Sequence, residues 1–314
     1  MNYRKFGNTD LRVSEIGFGA WAIGGEARVG GIPIGWGPAD DAVSTRAIHA
    51  ALDAGINFFD TADFYGLGHS ETLLGNVLSK DAIIATKAGQ RNIDDKIVHD
   101  YSCEYLLHAC EESLKRLKRD TIDYYQLHNA RMPHLQNGEC IEAMETLKQQ
   151  GKVRYWGLSL NTFAPAPEAE WMIENKVGDG FQLVFNLINQ RAYNVMQQAA
   201  RNGYGIIARM PLQFGLLTGK FSAASTFSSN DHRSFRLTPE IIEKTMSVLK
   251  DVSTAMALSF VLTCKEVCTV IPGIRTPEHV KQNTTGIQTL TPEEYAHLRA
   301  INWEPVMELL QEQG

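Results

Sequence analysis

Long hydrophobic runs are the first thing this 314-residue sequence lacks. No window approaches about 18 uninterrupted apolar residues, so no segment reads as a membrane-spanning helix. The opening Met1-Asn2-Tyr3-Arg4-Lys5-Phe6-Gly7 enters mixed polar sequence without the apolar segment of a secretory signal. Cysteine is scarce: Cys103, Cys110, Cys140, Cys264 and Cys268 are odd in number and form no C-x-x-C pair. That usage argues against a disulfide scaffold and fits a reducing, cytoplasmic compartment. Charge of one sign is not in large excess either, with 30 Lys plus Arg against 36 Asp plus Glu and a net charge of −6. Such a balance excludes a protein built to grip nucleic acid or an anionic membrane, yet it allows a local cationic site for one small anion. No Ser/Gly linker and no shift of composition divides the chain, which therefore reads as a single domain, 1–314.

What is present is apolar material for a large core, 44% of the residues, arranged in a repeating alternation. Eight short β-branched or apolar runs lie at 15–19, 57–60, 82–87, 122–128, 153–159, 181–185, 205–210 and 267–272. Between them come stretches with helical spacing. In 100–118, Leu106, Leu107, Cys110, Leu114 and Leu117 share one face, and in 140–150 Ile141, Met144 and Leu147 do the same before Gly151. Three helix starts repeat one chemistry, Thr238-Pro239-Glu240, Thr276-Pro277-Glu278 and Thr291-Pro292-Glu293: a capping hydroxyl, a proline where no N–H is needed, and a carboxylate at the positive helix end. Parallel strands joined by helices must bury both faces, and a closed (β/α)8 barrel does so with no leftover edge. The runs 3–6 and 11–13, separated by Gly7-Asn8-Thr9-Asp10, predict a hairpin ahead of the first barrel strand, and 238–250 and 291–302 predict two accessory helices.

Functional groups of such a barrel collect at the carboxyl ends of its strands. The second run ends in Phe58-Phe59-Asp60-Thr61-Ala62-Asp63-Phe64-Tyr65-Gly66, the third in Thr86-Lys87 and the fourth in Gln126-Leu127-His128. A carboxylate, a phenol, an ammonium and an imidazole on one rim suit proton transfer to or from a carbonyl oxygen. The ordinary phenol pKa near 10 is high for a donor at neutral pH, and a neighbouring lysine is expected to lower it. Asp60 would hold Lys87 charged, and His128 would orient the carbonyl and share the proton. The set lacks a hydride source, which a cofactor must bring.

These features, together with Gly17-Phe18-Gly19-Ala20-Trp21, Gly157-Leu158-Ser159, Gln182 before Asn186, the run Pro211-Leu212 through Gly215, Leu217, Gly219 and Lys220, and Ile271-Pro272-Gly273 leading to Asn283, resemble the aldo-keto reductase family from Arg4 to about Trp303. The subgroup with Arg209-Met210-Pro211-Leu212 includes bacterial aldo-keto reductases and potassium channel β subunits. The resemblance implies a catalytic tetrad of Asp60, Tyr65, Lys87 and His128 and a dinucleotide extended across the rim without a Rossmann fold. It assigns cofactor contacts to Gly19, Trp21, Asp60, Ser159, Asn161, Gln182 and Arg209 at one end and to Pro211, Leu212, Gly215, Leu217 and Lys220 under the pyrophosphate. Arg233, Gly273, Arg275, His279, Gln282 and Asn283 fall at the adenosine end. Trp21, Trp36, Tyr65 and His128 are expected to face the substrate.

Two patterns mislead. Gly17-Phe18-Gly19-Ala20-Trp21-Ala22 fits a loose Rossmann fingerprint, but the glycine-rich 23–33 that follows cannot be its helix. Cys264 and Cys268 end an apolar helix and have no visible partners for a metal, so none is assigned. Gly273 and His279 stand where phosphate-selective members carry Lys and Arg, leaving Arg275 and Arg233 to favour NADP(H) over NAD(H). The expected activity is NAD(P)H-dependent reduction of small aldehydes or ketones, sugar-derived or dicarbonyl. The alternatives are an aldose or polyol dehydrogenase working in the oxidative direction and a cofactor-sensing regulatory subunit. A barrel aldolase with Lys87 as Schiff-base nucleophile conflicts with the dinucleotide pattern. The loops 22–38 and 129–137 set substrate preference, and 303–314 covers the rim or meets another subunit.

Overall fold

The structure, a computed structural model, describes residues 1–249 and 251–313. Lys250, the end of the expected 238–250 helix, and Gly314 lie outside them. The chain opens with the antiparallel hairpin β1 (Tyr3–Lys5) and β2 (Arg12–Ser14), pairing Arg4 with Val13. It continues through β3 (Phe18–Gly19), a ribbon of β4 (Arg28–Val29) and β5 (Ile32–Pro33), then β6 (Phe58–Asp60) and β7 (Ile83–Ala88). A second ribbon, β8 (Gln90–Ile93) with β9 (Lys96–His99), precedes β10 (Ile122–His128), β11 (Val153–Ser159), β12 (Gly180–Val184), β13 (Gly205–Arg209) and β14 (Thr269–Ile271).

Eight of these strands form one parallel sheet in the order β14-β13-β12-β11-β10-β7-β6-β3. Its two edges meet: Ile16 bridges Val270 and Gly19 bridges Gly273, with Gly17 N–H donating to Val270 O at 2.8 Å and Gly19 N–H to Pro272 O at 3.0 Å. The sheet is therefore a closed (β/α)8 barrel, as the alternation predicts. Helices wrap it, among them Asp41–Asp53, Cys103–Leu117, Glu139–Gln149 and Thr254–Thr263. The three Thr-Pro-Glu starts are caps, with Thr238, Thr276 and Thr291 accepting from the N–H groups of Ile241, His279 and Glu294. Pro239–Val248 and Pro292–Arg299 are the accessory helices, and Glu304–Glu312 adds a third that buries Val306, Met307 and Leu310.

One end of the barrel is plugged. Phe6, carried by the hairpin, packs edge-on against Tyr124 at 4.9 Å, and a Cβ on Gly205 would stand 2.5 Å from its ring. With Val13, Phe58, Ala85 and Ile207 it fills the interior on the hairpin side. The carboxyl ends of the strands are thereby left as the open face. Among the described residues no helix is long and apolar enough to cross a membrane. Neither ribbon is expected from the sequence. Both turn through residues at positive φ, Gly30-Gly31 in the first and Asp94-Asp95 (49° and 59°) in the second, the geometry of a two-residue hairpin turn.

Candidate active site

Asp60 ends β6 and Lys87 is the fifth residue of β7; neighbouring parallel strands set both side chains inside the barrel. Asp60 Oδ2 accepts from Lys87 Nζ at 2.8 Å, while its Oδ1 accepts from Gln182 Nε2 at 2.6 Å and Gln126 Nε2 at 3.3 Å. Lys87, fully buried, also donates to Thr61 O at 2.6 Å and stands 3.5 Å from the Tyr65 hydroxyl. Its three N–H bonds thus have three oxygen partners. His128 ends β10, its ring edge-on to that of Tyr65 with centroids 6.0 Å apart. Gln126 was visible in the sequence without a role. It lies two residues before His128, on the same strand face, and helps to fix the carboxylate.

The electrostatics follow from burial opposed by pairing. Burial works against the Lys87 charge, but Asp60 and then Tyr65 outweigh it and its pKa rises. Burial also raises the Tyr65 phenol, and Lys87 offsets this only in part. The expectation that lysine would bring the phenol below its ordinary value is corrected: in the closed interior, desolvation of a phenolate is the larger effect. His128 is held well below the ordinary imidazole pKa, by burial first and then by Lys87 and Arg209. That direction favours the neutral imidazole at neutral pH, and its Nδ1 is buried without a partner. An ammonium held charged with every donor engaged is no Schiff-base nucleophile, which removes the aldolase alternative.

Trp21 stacks on Tyr65 (5.7 Å, 19°) and on His232 (4.4 Å, 29°), and its indole N–H donates to Ile34 O at 2.9 Å. Trp36 stands perpendicular to Trp21 at 5.7 Å. Loop 22–38 is clasped to the segment before helix Arg233–Arg236: His232 N–H donates to Gly35 O, Trp36 bridges Asp231, and Arg28 donates to Ser229 O and Asn230 Oδ1. On the other flank the backbone after β13 turns through Met210, Gln213 and Phe214 at positive φ. Buried Asn186 steadies that turn, donating to Met210 O and Gln213 Oε1, both at 2.8 Å.

These walls enclose a cavity of about 630 Å³. Gly19, Trp21, Trp36, Asp60, Tyr65, His128, Gln182, Arg209, Pro211, Leu212, Gly215, Lys220, Arg233, Gly273, Arg275, His279, Gln282 and Asn283 all line it. A smaller polar recess of about 170 Å³ adds Ser159, with Gln90 and Asn129 beside Tyr65 and His128. Two expected contacts are not brought in. Asn161 turns its side-chain oxygen back to the N–H groups of Phe163 (2.9 Å) and Ala164 (2.7 Å), and Leu217 is buried in the outer core. Arg233 reaches the cavity with its charge already matched by Asp231, its Nε 3.0 Å from both carboxylate oxygens.

The sequence profile of the Aldo/keto reductase family matches residues 15–302. The chain belongs to the aldo/keto reductase family. It is 31% identical over 314 aligned residues to the uncharacterized oxidoreductase YqkF of Bacillus subtilis, covering 96% of each chain. To L-galactose dehydrogenase of Arabidopsis thaliana it is 30% identical over 302 aligned residues, 91% of this chain and 88% of that one. Among solved structures, the holo form of aldo-keto reductase AKR11C1 from Bacillus halodurans superposes with a TM-score of 0.79 at 27% identity, covering 96% of both chains.

Aldo/keto reductases use nicotinamide cofactors and bind small carbonyl substrates. The residues of this chain fit such a cofactor. A Cβ on Gly273 would meet nothing within 4 Å, which leaves room for a flat group against the backbone. The cavity residues that carry buried polar atoms without partners include Arg209, at Nε, and Asn283, at Nδ2. Cationic Lys220 and Arg275 line the same cleft.

Behind Asp60, Tyr65 and Lys87 the same segment hides a second carboxyl. Asp63 N–H donates to Lys87 O at 3.1 Å, its Oδ2 accepts from Tyr105 OH at 3.2 Å, and Oδ1 is buried without a partner. Burial, followed by the neighbouring Glu71 charge, pushes its pKa up to about 8. A proton held in the folded state above the ordinary 3.8 gives a contribution complete below 3.8 and lost as the pH climbs through about 8. Asp63→Asn removes that dependence while keeping an oxygen for Tyr105. Its melting temperature relative to wild type is expected to rise steadily from pH 4 to about pH 8. A difference that stays constant across that window contradicts the assignment.

Proposed function

We propose that the protein is an NAD(P)H-dependent carbonyl reductase, converting small aldehydes or ketones to alcohols with Tyr65 as the acid. The observation that carries this reading is the hydrogen-bonded chain from Gln182 through Asp60 and Lys87 to Tyr65, which opens on the same cavity as His128.

The substrate oxygen sits between the Tyr65 hydroxyl and the neutral His128 ring, which together orient the carbonyl and polarise it. A bound reduced nicotinamide supplies the hydride. As negative charge grows on the oxygen, Tyr65 gives up its proton to it, and Lys87 stabilises the phenolate that is left. Asp60 keeps Lys87 protonated and in place. Ser159, Gln182 and Arg209 would hold the nicotinamide end, the 211–220 segment with Lys220 the pyrophosphate, and Gly273, Arg275, His279, Gln282 and Asn283 the adenosine end.

Arg275 at the adenosine end supports NADP(H) over NAD(H). Arg233 adds less than expected, because Asp231 offsets its charge. Kinship with L-galactose dehydrogenase favours a second reading in which the same groups work in reverse. In that direction Tyr65 must accept the proton as a phenolate, and its raised pKa favours oxidation at higher pH than reduction.

A panel of aldoses, glyceraldehyde, methylglyoxal and pyridoxal with both reduced cofactors tests the reading. Aldehyde-dependent loss of the reduced cofactor is expected, with tighter binding of NADPH than NADH by equilibrium titration. Equal or tighter NADH binding ends the cofactor preference, and inertness toward every carbonyl ends the reductase reading.

A further inference from the structure

Charge does not balance on the floor of the cavity. Asp60 and Lys87 cancel each other across 2.8 Å, and burial, with Lys87 and Arg209 nearby, favours the neutral form of His128. Arg209, the last residue of β13, lines the same floor and has no acid paired with it among the described residues. Its Nη2 donates to Leu160 O and Thr162 Oγ1, both at 3.1 Å, its Nη1 to Met210 Sδ at 3.1 Å, and its Nε is buried without a partner. A carbonyl, a hydroxyl and a thioether leave the guanidinium charge unmatched. Burial pushes its pKa down; Tyr65 and Asp60 oppose that shift, and Arg236 on the cavity wall adds to it.

The place of this charge points to what matches it. Arg209 lines both the main cavity and the polar recess of about 170 Å³ beside Tyr65 and His128. Gln90, Asn129 and Ser159 in the recess are amides and a hydroxyl, able to donate hydrogen bonds but uncharged. A guanidinium drawn out of water without an anion is costly, and a ligand that brings the anion recovers that cost. The cofactor does not bring it there. Nicotinamide is neutral when reduced and cationic when oxidised, and in the proposed site the phosphates lie at the 211–220 segment and the adenosine end.

We infer that Arg209 binds an anionic group of the substrate itself, so that the substrate class is a short oxo acid with a carboxylate a few carbons from the reacting carbonyl. The carbonyl oxygen sits between Tyr65 and His128, and the carboxylate meets Arg209, with the amides of Gln90 and Asn129 as further donors. The inference rests on the reductase reading for the carbonyl, while the anion site stands on Arg209 alone.

The experiment uses the full chain with its reduced cofactor and matched pairs of substrates. Glyoxylate and succinic semialdehyde are each compared with their methyl esters, and glyceraldehyde 3-phosphate with glyceraldehyde. Each acid is expected to exceed its ester in kcat/KM by about 10- to 100-fold, the range of a hydrogen bond to a charged group, mostly through KM. Arg209→Met is expected to erase the preference and Arg209→Lys to keep part of it. Because each ratio is read within one protein, a general loss of turnover or of cofactor affinity cancels. A preference confined to the phosphate pair supports the anion site and makes its ligand a phosphate.

Tryptophan-fluorescence titration of the reduced-cofactor complex with lactate and with lactamide reads the site without turnover. Tighter binding of lactate with no reduction of any carbonyl supports the anion site and sinks the reductase reading instead. Uncharged members of every pair turned over as well as their anionic partners by the wild type overturn the inference, and that comparison holds even where Arg209→Met fails to fold. A preference for the acid that Arg209→Met retains overturns it too, since the carboxylate then sits at Tyr65 and His128.

Discussion

Tyr65→Phe is expected to slow reduction of an activated aldehyde by about 10²–10⁴-fold while leaving cofactor affinity unchanged, the effect of removing a positioned acid. The substitution is a narrow one. Phenylalanine keeps the ring that stacks on Trp21 and lies 4.9 Å from the Lys87 ammonium, and Lys87 keeps its bonds to Asp60 and Thr61 O. What disappears is the hydroxyl 3.5 Å from Lys87. His128 cannot take its place, because burial and two nearby cations hold the imidazole neutral. With Tyr65 raised above the ordinary phenol pKa and His128 well below the ordinary imidazole value, neither group titrates near neutrality. The rate of reduction should therefore be nearly flat around pH 7, in the wild type and in the variant. Steady-state turnover and cofactor titration on the two proteins check this, and wild-type turnover by Tyr65→Phe refutes the role given to the phenol.

The barrel could be read from the sequence because its strands are buried on both faces and therefore written as short apolar runs; 122–128 and 153–159 carry the same bounds in the structure. The meeting of Asp60, Lys87 and His128 in one place was legible for a related reason, since strand ends are where a parallel barrel must leave its core. The ribbons at 28–33 and 90–99 were not, because an exposed two-stranded ribbon has no buried face to impose alternation. Their signal was local: Gly30-Gly31 and Asp94-Asp95 are turn pairs. Asn161 lies off the cavity lining with its side-chain oxygen turned to its own backbone, for a reason also present in the sequence, where Asn161-Thr162-Phe163-Ala164-Pro165 invites that turn. The direction of the Tyr65 shift could not be read at all. It depends on how completely the other strands and loops exclude water, a property of the closed barrel and of no single motif.

The second large effect is on folding and chemistry together. Lys87 and Asp60 form an ion pair with both side chains almost wholly buried, 2.8 Å apart. Removing one partner of such a pair strands the other charge, and Lys87→Met alone is expected to cost about 3–5 kcal/mol of stability. The Asp60 carboxylate would keep only the amide donors of Gln182 and Gln126. Asp60→Asn alone strands the ammonium in the same way, with Thr61 O and the Tyr65 hydroxyl as its remaining partners. The double variant Asp60→Asn with Lys87→Met carries neither charge, and it should recover most of what either single change loses, a strongly non-additive cycle. Activity should not follow. Without the ammonium nothing stabilises the Tyr65 phenolate, so the double variant should fold nearly as well as the wild type and reduce aldehydes orders of magnitude more slowly. Denaturant unfolding and turnover measured on the same four proteins separate the two roles. If Lys87→Met is as stable as the double variant, the pair contributes nothing to the fold. If the double variant turns over like the wild type, the pair contributes nothing to the acid.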